Sequence, residues 1–230
     1  MLRIVGYAIV SRDGMIATSD GLMPPCLIFE ADQAFYRASL AQAQVIVHGR
    51  NSGKGVPNAG SQHRVLVTGT VDRLSSASST PHIILWNPAR TSFGEVIRQL
   101  DITVGIIAIA GGTDVFELFL HIGYDAFYLS RAELVFLPGG RPLFRSVPAA
   151  TPEDVLQAHG LARRSERTLE THLILEEWLR SPSPGRNTAG TTVPAKTGTH
   201  LAASTGRPRL SPRKRALLAT SANHFVSWRG

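Results

Sequence analysis

The chain has 230 residues, 43% of them hydrophobic, a formal net charge of +7 and one cysteine. That length accommodates one domain of roughly 150–200 residues plus an extension. No apolar run approaches the ~18 residues of a membrane-spanning helix, and Cys26, being alone, excludes an internal disulfide framework and suits a reducing, cytoplasmic setting. The charge is unevenly spread. Eight of the 24 basic residues follow Arg180, where there is no Asp or Glu, so the first 180 residues hold 16 basic and 17 acidic side chains, a net of −1. The sequence therefore reads as a nearly neutral domain over 1–180 and a basic, Ser/Pro/Gly/Thr-rich tail over 181–230. A nucleic-acid reading of the whole chain from its basicity fails for the domain.

In chain order, Leu2 to Val10 is apolar and β-prone and is read as a first strand, not a signal peptide, with a turn at Asp13-Gly14. Gly21 to Pro25 is a loop. Glu30 to Gln42 has helical composition, with Ala31, Ala34, Phe35, Ala38 and Leu40/Ala41 as its apolar stripe. Short buried-type strands follow at Val45–Val47, Val65–Thr68 and Ile83–Trp86, with a Gly/Asn/Ser-rich loop from Asn51 to Gln62. Ser92 to Gln99 reads as a helix with Ser92 as N-cap and Glu95 three residues on. Val104 to Ala110 is a strand that ends in Gly111-Gly112, and Thr113 to His121 is a helix that starts on that pair. Asp125 to Ser130 and Thr171 to Glu177 are later strands, and the second alternates as an antiparallel edge does. Apolar strands alternating with helices predict a three-layer α/β fold: a mostly parallel, mixed sheet with helices on both faces.

Three strand ends carry residues suited to phosphate. Gly111-Gly112 lets the backbone approach a ligand at a helix start, where free N–H groups and the dipole favour an anion; the same pair also serves as a plain tight turn. Val45 to Ser52 (VIVHGRNS) runs from a strand into Gly49, Arg50, Asn51 and Ser52, and a guanidinium grips phosphate by a bidentate fork. Thr68 and Gly69 close a third strand. In a parallel sheet such ends share one edge, where ligands of open α/β folds bind. Gly49 to Gly55 (GRNSGKG) is one residue short of a P-loop, and there is no G-x-G-x-x-G. Glu30 and Asp32 open the first helix, either as ordinary first-turn acids or as a carboxylate at a pocket mouth. The eight histidines are scattered, away from cysteines at ligand spacing, so no metal site is expected.

Taken together, GYAIVSRDGMIA, MPP, the acidic helix start, VIVHGRNS, VLVTG, IAGGTDVFELFL and LPGGRPLF, in this order over about residues 1–178, resemble the dihydrofolate reductase superfamily. That group includes the reductase domain of the deaminase-reductase of riboflavin synthesis. SRDGMIA and GGRPLF are more similar to the riboflavin-type branch, and MPP with its following helix to the folate branch. The resemblance implies NADPH across the strand ends. Gly49, Arg50, Asn51 and Ser52 would meet phosphates, Thr68 and Gly69 the 2′-phosphate region, and Gly111, Gly112, Thr113 and Asp114 the pyrophosphate, over a cis Gly-Gly bond. Ile16 and Ala17 would approach the nicotinamide, and Tyr7, Phe35, Tyr36 and Ala110 a heterocyclic substrate. The pocket acid falls on Asp32 when counted from Phe35-Tyr36 and on Glu30 when counted from Met23-Pro24; the preference is Asp32. Asp114 stands where a basic residue often helps hold the cofactor.

The resemblance implies a reductase passing hydride to a pterin- or dihydrofolate-like heterocycle or, in the riboflavin branch, to an aminopyrimidine ribotide. A rival from another class is a non-catalytic nucleotide-binding or interaction protein. The tail is read as disordered, with nucleic-acid binding through Arg207 to Arg215 or a returning strand at Phe225–Trp228 as its alternatives. The oligomeric state is open, a homodimer included.

Overall fold

The computed structural model describes residues 1–50, 52, 62–77 and 80–181. The expectations for the tail and for Asn51 lie outside them.

Among the described residues the elements run β1 (Leu2–Ser11), β2 (Met15–Ala17), α1 (Glu30–Ala41), β3 (Ala43–Gly49), β4 (His63–Val67), β5 (Ser75–Ala77), β6 (Thr80–Trp86), α2 (Phe93–Leu100), β7 (Gly105–Ile109), α3 (Thr113–Ile122), β8 (Ala126–Ala132), β9 (Arg141–Pro142), α4 (Pro152–Ala158), β10 (Leu161–Glu170) and β11 (Leu173–Arg180). They form a sheet of nine strands in the order β10-β11-β8-β1-β7-β3-β4-β6-β5, and β2 pairs with β9 apart from it. From β8 to β6 every neighbouring pair is parallel, and β5, β11 and β10 are antiparallel additions. No helix among the described residues is long and apolar enough to cross a membrane.

The strand alternation sorts side chains between the two faces. Val45, Val47, Ile107, Ile109, Phe127 and Leu129 meet Val96 of α2, Phe116 and Phe119 of α3 and Leu156 of α4 in the larger core. Val5, Tyr7, Ile46 and Ala108 face the other way, onto Leu40, Phe35 and Tyr36 of α1. This is the predicted three-layer α/β architecture. The predicted start of α2 is also met in detail: Ser92 and Glu95 form a reciprocal capping box, Glu95 N–H to Ser92 Oγ at 3.3 Å and Ser92 N–H to Glu95 Oε2 at 2.9 Å.

Three expectations change. The C-terminal strand is not the edge, because β10 pairs along its outer side. β10 (LARRSERTLE) is largely exposed and charged, so no apolar period marked it; charges of this kind protect a sheet edge from further pairing. The buried stripe of α1 is also different. Ala34 and Ala38 are exposed, and Asp32 and Leu40 are buried. The stripe runs 32-36-40, with Phe35 and Ser39 beside it, which is the i, i+4 row of a helix and carries Asp32 toward the sheet. Finally, α4 escaped notice because its seven residues are too short for a clear pattern.

Gly6 shows how tightly the larger core is packed. A Cβ there would lie 2.3 Å from the Phe127 ring and 3.0 Å from Tyr124. Gly6→Ala is expected to destabilise the domain by about 1–3 kcal/mol through overpacking, measured by urea denaturation. A change under about 0.5 kcal/mol would show that Phe127 can move aside.

Candidate functional site

β1 and β3 are adjacent in sequence among the parallel strands, yet β7 lies between them. The winding reverses there, and in open α/β sheets a cleft forms outside the strand ends at such a switch point. Ala110 and the glycine pair follow β7, Gly49 ends β3 with Arg50 after it, and Thr68 and Gly69 follow β4.

The glycine pair, Gly49 and Ser52 come together. Gly49 N–H donates to the Gly111 carbonyl at 3.1 Å, and Ala110 N–H to Val47 at 2.8 Å, which zips the turn to β3. A Cβ on Gly111 or Gly112 would approach Ser52 Oγ to 3.6 or 3.5 Å. The bare backbone therefore faces the Ser52 hydroxyl. The Gly111–Gly112 peptide is trans, contrary to the cis bond the resemblance implied; positive φ at both residues, 121° and 85°, turns the chain instead. Gly112 has no capping side chain, and Val115 and Phe116 N–H bond to its carbonyl. The amides of Thr113 and Asp114 have no intrahelical acceptor and remain for an anion.

Other predicted cofactor residues are placed differently. Thr113 Oγ1 donates to the Pro142 carbonyl at 2.5 Å, tying β9 to the start of α3. Through the β2–β9 pairing this brings Ile16 and Ala17 to the same side, with Ala17 buried and Ile16 partly so. Asp114 is ion-paired with Arg145 at 2.7 Å. The sequence reading missed Arg145, which follows LPGGRPLF directly and neutralises Asp114. Thr68 is buried and its hydroxyl is shared with Thr70 at 2.9 Å, so its side chain is occupied within its own loop; Gly69 has open space beside it. Arg50 is exposed.

The two candidate acids separate. Glu30 is exposed, whereas Asp32 is 6% exposed. Burial pushes the Asp32 carboxyl above its usual range, opposed by a hydrogen bond from the Ser130 hydroxyl of β8. Ser130, fully inside a hydrophobic strand, is a second residue that the sequence reading missed. Its only signal is a hydroxyl at a buried strand position. Four residues along α1 lies Tyr36, whose phenol is raised above its usual value by burial and by the Asp32 charge. Tyr7 stacks on Tyr128 with centroids 5.4 Å apart, and Phe35 meets Tyr128 edge-on at 5.4 Å. The Tyr7 phenol is pushed up to about 12, first by burial and then by Tyr128. Arg167 of β10 covers Phe35 at 5.6 Å. Thus Asp32, Tyr7, Phe35 and Tyr36 share the α1 side of the sheet, and Ala110 packs beside them.

His48 joins this side. It follows Ile46 by two residues on β3 and is 5% exposed. Its Nδ1 lies 2.9 Å from the Gly49 carbonyl, which only accepts, so Nδ1 carries the proton. Its Nε2 is buried with no hydrogen-bond partner among the described residues. Burial and the Arg64 charge lower its pKa and keep the ring neutral.

Two clefts open at the far end of β8. One of about 140 Å³ is lined by Ser11, Gly14, Arg131 and Glu153, and the other, of about 610 Å³, by Arg12, Arg131, Arg163 and Glu176. Arg131 divides them and is paired with both Glu153 and Glu176. Size alone would favour the larger, but its central charges are mutually neutralised. The strand-end region unites a switch point, a bare glycine turn and a buried acid, which is the stronger ground for a site.

No protein-family model matches the chain, and no curated protein sequence does. Solved structures do match. A protein from Shewanella sp. PV-4 described as a candidate riboflavin biosynthesis protein has a TM-score of 0.55 and 16% identity, over 78% of this chain and 99% of its own. Dihydrofolate reductase from Enterococcus faecalis, complexed with NADP(H) and RAB-propyl, has a TM-score of 0.53 and 15% identity, over 78% of this chain and 97% of its own. At these identities the likeness concerns the backbone, and it spans almost the whole of both neighbours: over its described residues, this chain has the dihydrofolate-reductase-like fold.

Proposed function

We propose that the chain is an NADPH-dependent reductase that passes hydride to a C=N bond of a pterin- or dihydrofolate-like heterocycle. The observation that carries this reading is Asp32: a buried carboxyl on the α1 side of the sheet, with Ser130 of β8 as its partner. An acid so placed favours a protonated or N–H-bearing ring over an anionic one. NADPH supplies the hydride. Ser52, Gly111, Gly112 and Thr113, with Arg50 at the rim, would hold its phosphates, and Ile16 and Ala17 would flank the nicotinamide. Tyr7, Phe35, Tyr36 and Ala110 would wall the heterocycle and exclude water. The contribution of the protein is orientation and electrostatics, since the cofactor carries the chemistry.

A second substrate reading rests on one contact set. SRDGMIA and LPGGRPLF, the two segments similar to the riboflavin branch, are joined in the structure. Leu137 N–H bonds to Asp13 Oδ1 at 3.0 Å, Leu143 N–H to the Gly14 carbonyl at 3.0 Å, and β2 pairs with β9. This favours 5-amino-6-(5-phosphoribosylamino)uracil as the alternative substrate.

The test is NADPH oxidation by the full chain with dihydrofolate and, separately, with the aminopyrimidine ribotide. Turnover of either names the branch. Saturating NADPH at about 100 times its Kd should stabilise the fold by about 2.7 kcal/mol, a rise in Tm of about 5–10 °C for a domain of this size. An unchanged Tm overturns the cofactor assignment. A raised Tm with oxidation of neither substrate leaves a nucleotide-binding protein without this activity.

A further inference from the structure

The strand registers set five side chains in one row on the α1 side. Tyr7 is level with Tyr128 on β8. Gly6 and Val47 are both level with Ile109, so Tyr7 and His48 flank Ala110. His48 is in turn level with Leu66. The row crosses the switch point where β7 gives way to the glycine turn, beneath the 32-36-40 stripe of α1. Within it, His48 presents a lone pair at Nε2 that nothing among the described residues meets. Native interiors leave few polar atoms in that condition, and each calls for an explanation.

We propose that His48 is a recognition residue of this pocket, its Nε2 accepting a hydrogen bond from an amide or amino N–H of a bound planar nitrogen heterocycle. The inference rests on the reductase reading and deepens it. Gly49 fixes the tautomer, so Nε2 offers a lone pair and not a proton. The neutral ring avoids placing a second cation near Arg64, in keeping with its lowered pKa. Asp32, on the same side of the sheet, is a second acceptor, with the Ser130 hydroxyl as a partner. A site bordered by these two acceptors selects ligands by their N–H groups, and a ring presenting a carbonyl to Nε2 would set lone pair against lone pair. Two sources present such an N–H: the carboxamide of the nicotinamide and the ring of the substrate.

The experiment is ¹⁵N NMR of the full chain labelled at histidine, with His48 assigned through His48→Gln. Spectra are taken alone, with NADPH, with dihydrofolate and with the aminopyrimidine ribotide, and binding of each is followed by thermal shift. The expected result is that the Nε2 resonance moves toward the hydrogen-bonded position with one bound ligand while the Nδ1–H tautomer persists. A shift with NADPH alone assigns the donor to the carboxamide, and a shift only with a substrate assigns it to the substrate ring. A bound ligand with no Nε2 shift in any sample overturns the His48 assignment and leaves the reductase reading standing. Absence of any thermal shift overturns both, and so is distinguishable. His48→Leu should weaken the responsible ligand by about tenfold while His48→Gln, which keeps an acceptor, stays within about threefold. Equal losses in both would mark a packing role and overturn the proposal. Because His48→Leu removes an unpaired buried acceptor, its Tm should not fall, which separates lost recognition from lost folding.

Discussion

Asp32→Asn is expected to reduce turnover by about 10²–10⁴-fold, the range set by removing a positioned acid or base, while raising the stability of the domain at neutral pH. Asparagine keeps the shape and a partner for Ser130 but cannot carry charge. The sign of the stability effect follows from linkage. Burial raises the folded-state pKa of Asp32 above its unfolded value. The folded state therefore binds more protons, and the contribution of Asp32 is fully present below the unfolded carboxylate range and lost as pH rises through the raised folded value. The variant should melt above the wild type at about pH 8 and converge with it toward about pH 4, near the unfolded pKa. Steady-state NADPH oxidation and calorimetry at both pH values check this. A Tm below wild type throughout would make Asp32 a structural anchor. Lost turnover in Glu30→Gln, with Asp32→Asn active, would transfer the pocket acid to Glu30.

Glu176→Gln should be the most damaging single change to stability away from the site. Glu176 is 2% exposed and accepts from Arg131 at 2.7 Å, Arg163 at 3.2 Å and Trp178 Nε1 at 2.9 Å. It pins β11 to β8 and β10 beneath α4. Breaking a buried pair by removing one partner costs about 3–5 kcal/mol. Arg163 is half exposed and contributes little, and Arg131 keeps Glu153, so the lower end applies. About 3 kcal/mol corresponds to a fall in Tm of about 6–12 °C, with an unchanged denaturant m value. Glu166→Gln, on the exposed end of the same network, should stay within about 0.5 kcal/mol. A loss under about 1 kcal/mol for Glu176→Gln would show that the network contributes nothing net.

The elements legible in the sequence were those in which one pattern dominates. Strands buried on both faces read as short apolar runs at Val45, Val65 and Ile107. The Ser92–Glu95 box announced α2, because capping is local chemistry that three residues complete. β10 was illegible because its interactions are backbone pairings on one side and solvent on the other, which any charged sequence satisfies. The stripe of α1 was misplaced because small alanines resemble a core face while Asp32, a charged residue on the true buried face, resembles a surface one.

The sequence by itself determined the alternation of apolar strands and helices, and with it a three-layer fold whose glycine-bearing strand ends meet at one edge, since burial period and backbone freedom are properties of neighbouring residues. Only the tertiary structure decided that Asp32 and not Glu30 turns inward, that Ser130 and Arg145 stand beside Asp32 and Asp114, and that His48 lies level with Ala110 and Tyr7. These partners lie 31 to 98 residues apart in the chain or depend on strand register. The energy that selects them comes from burial against the assembled sheet, a contact that no local stretch of sequence contains.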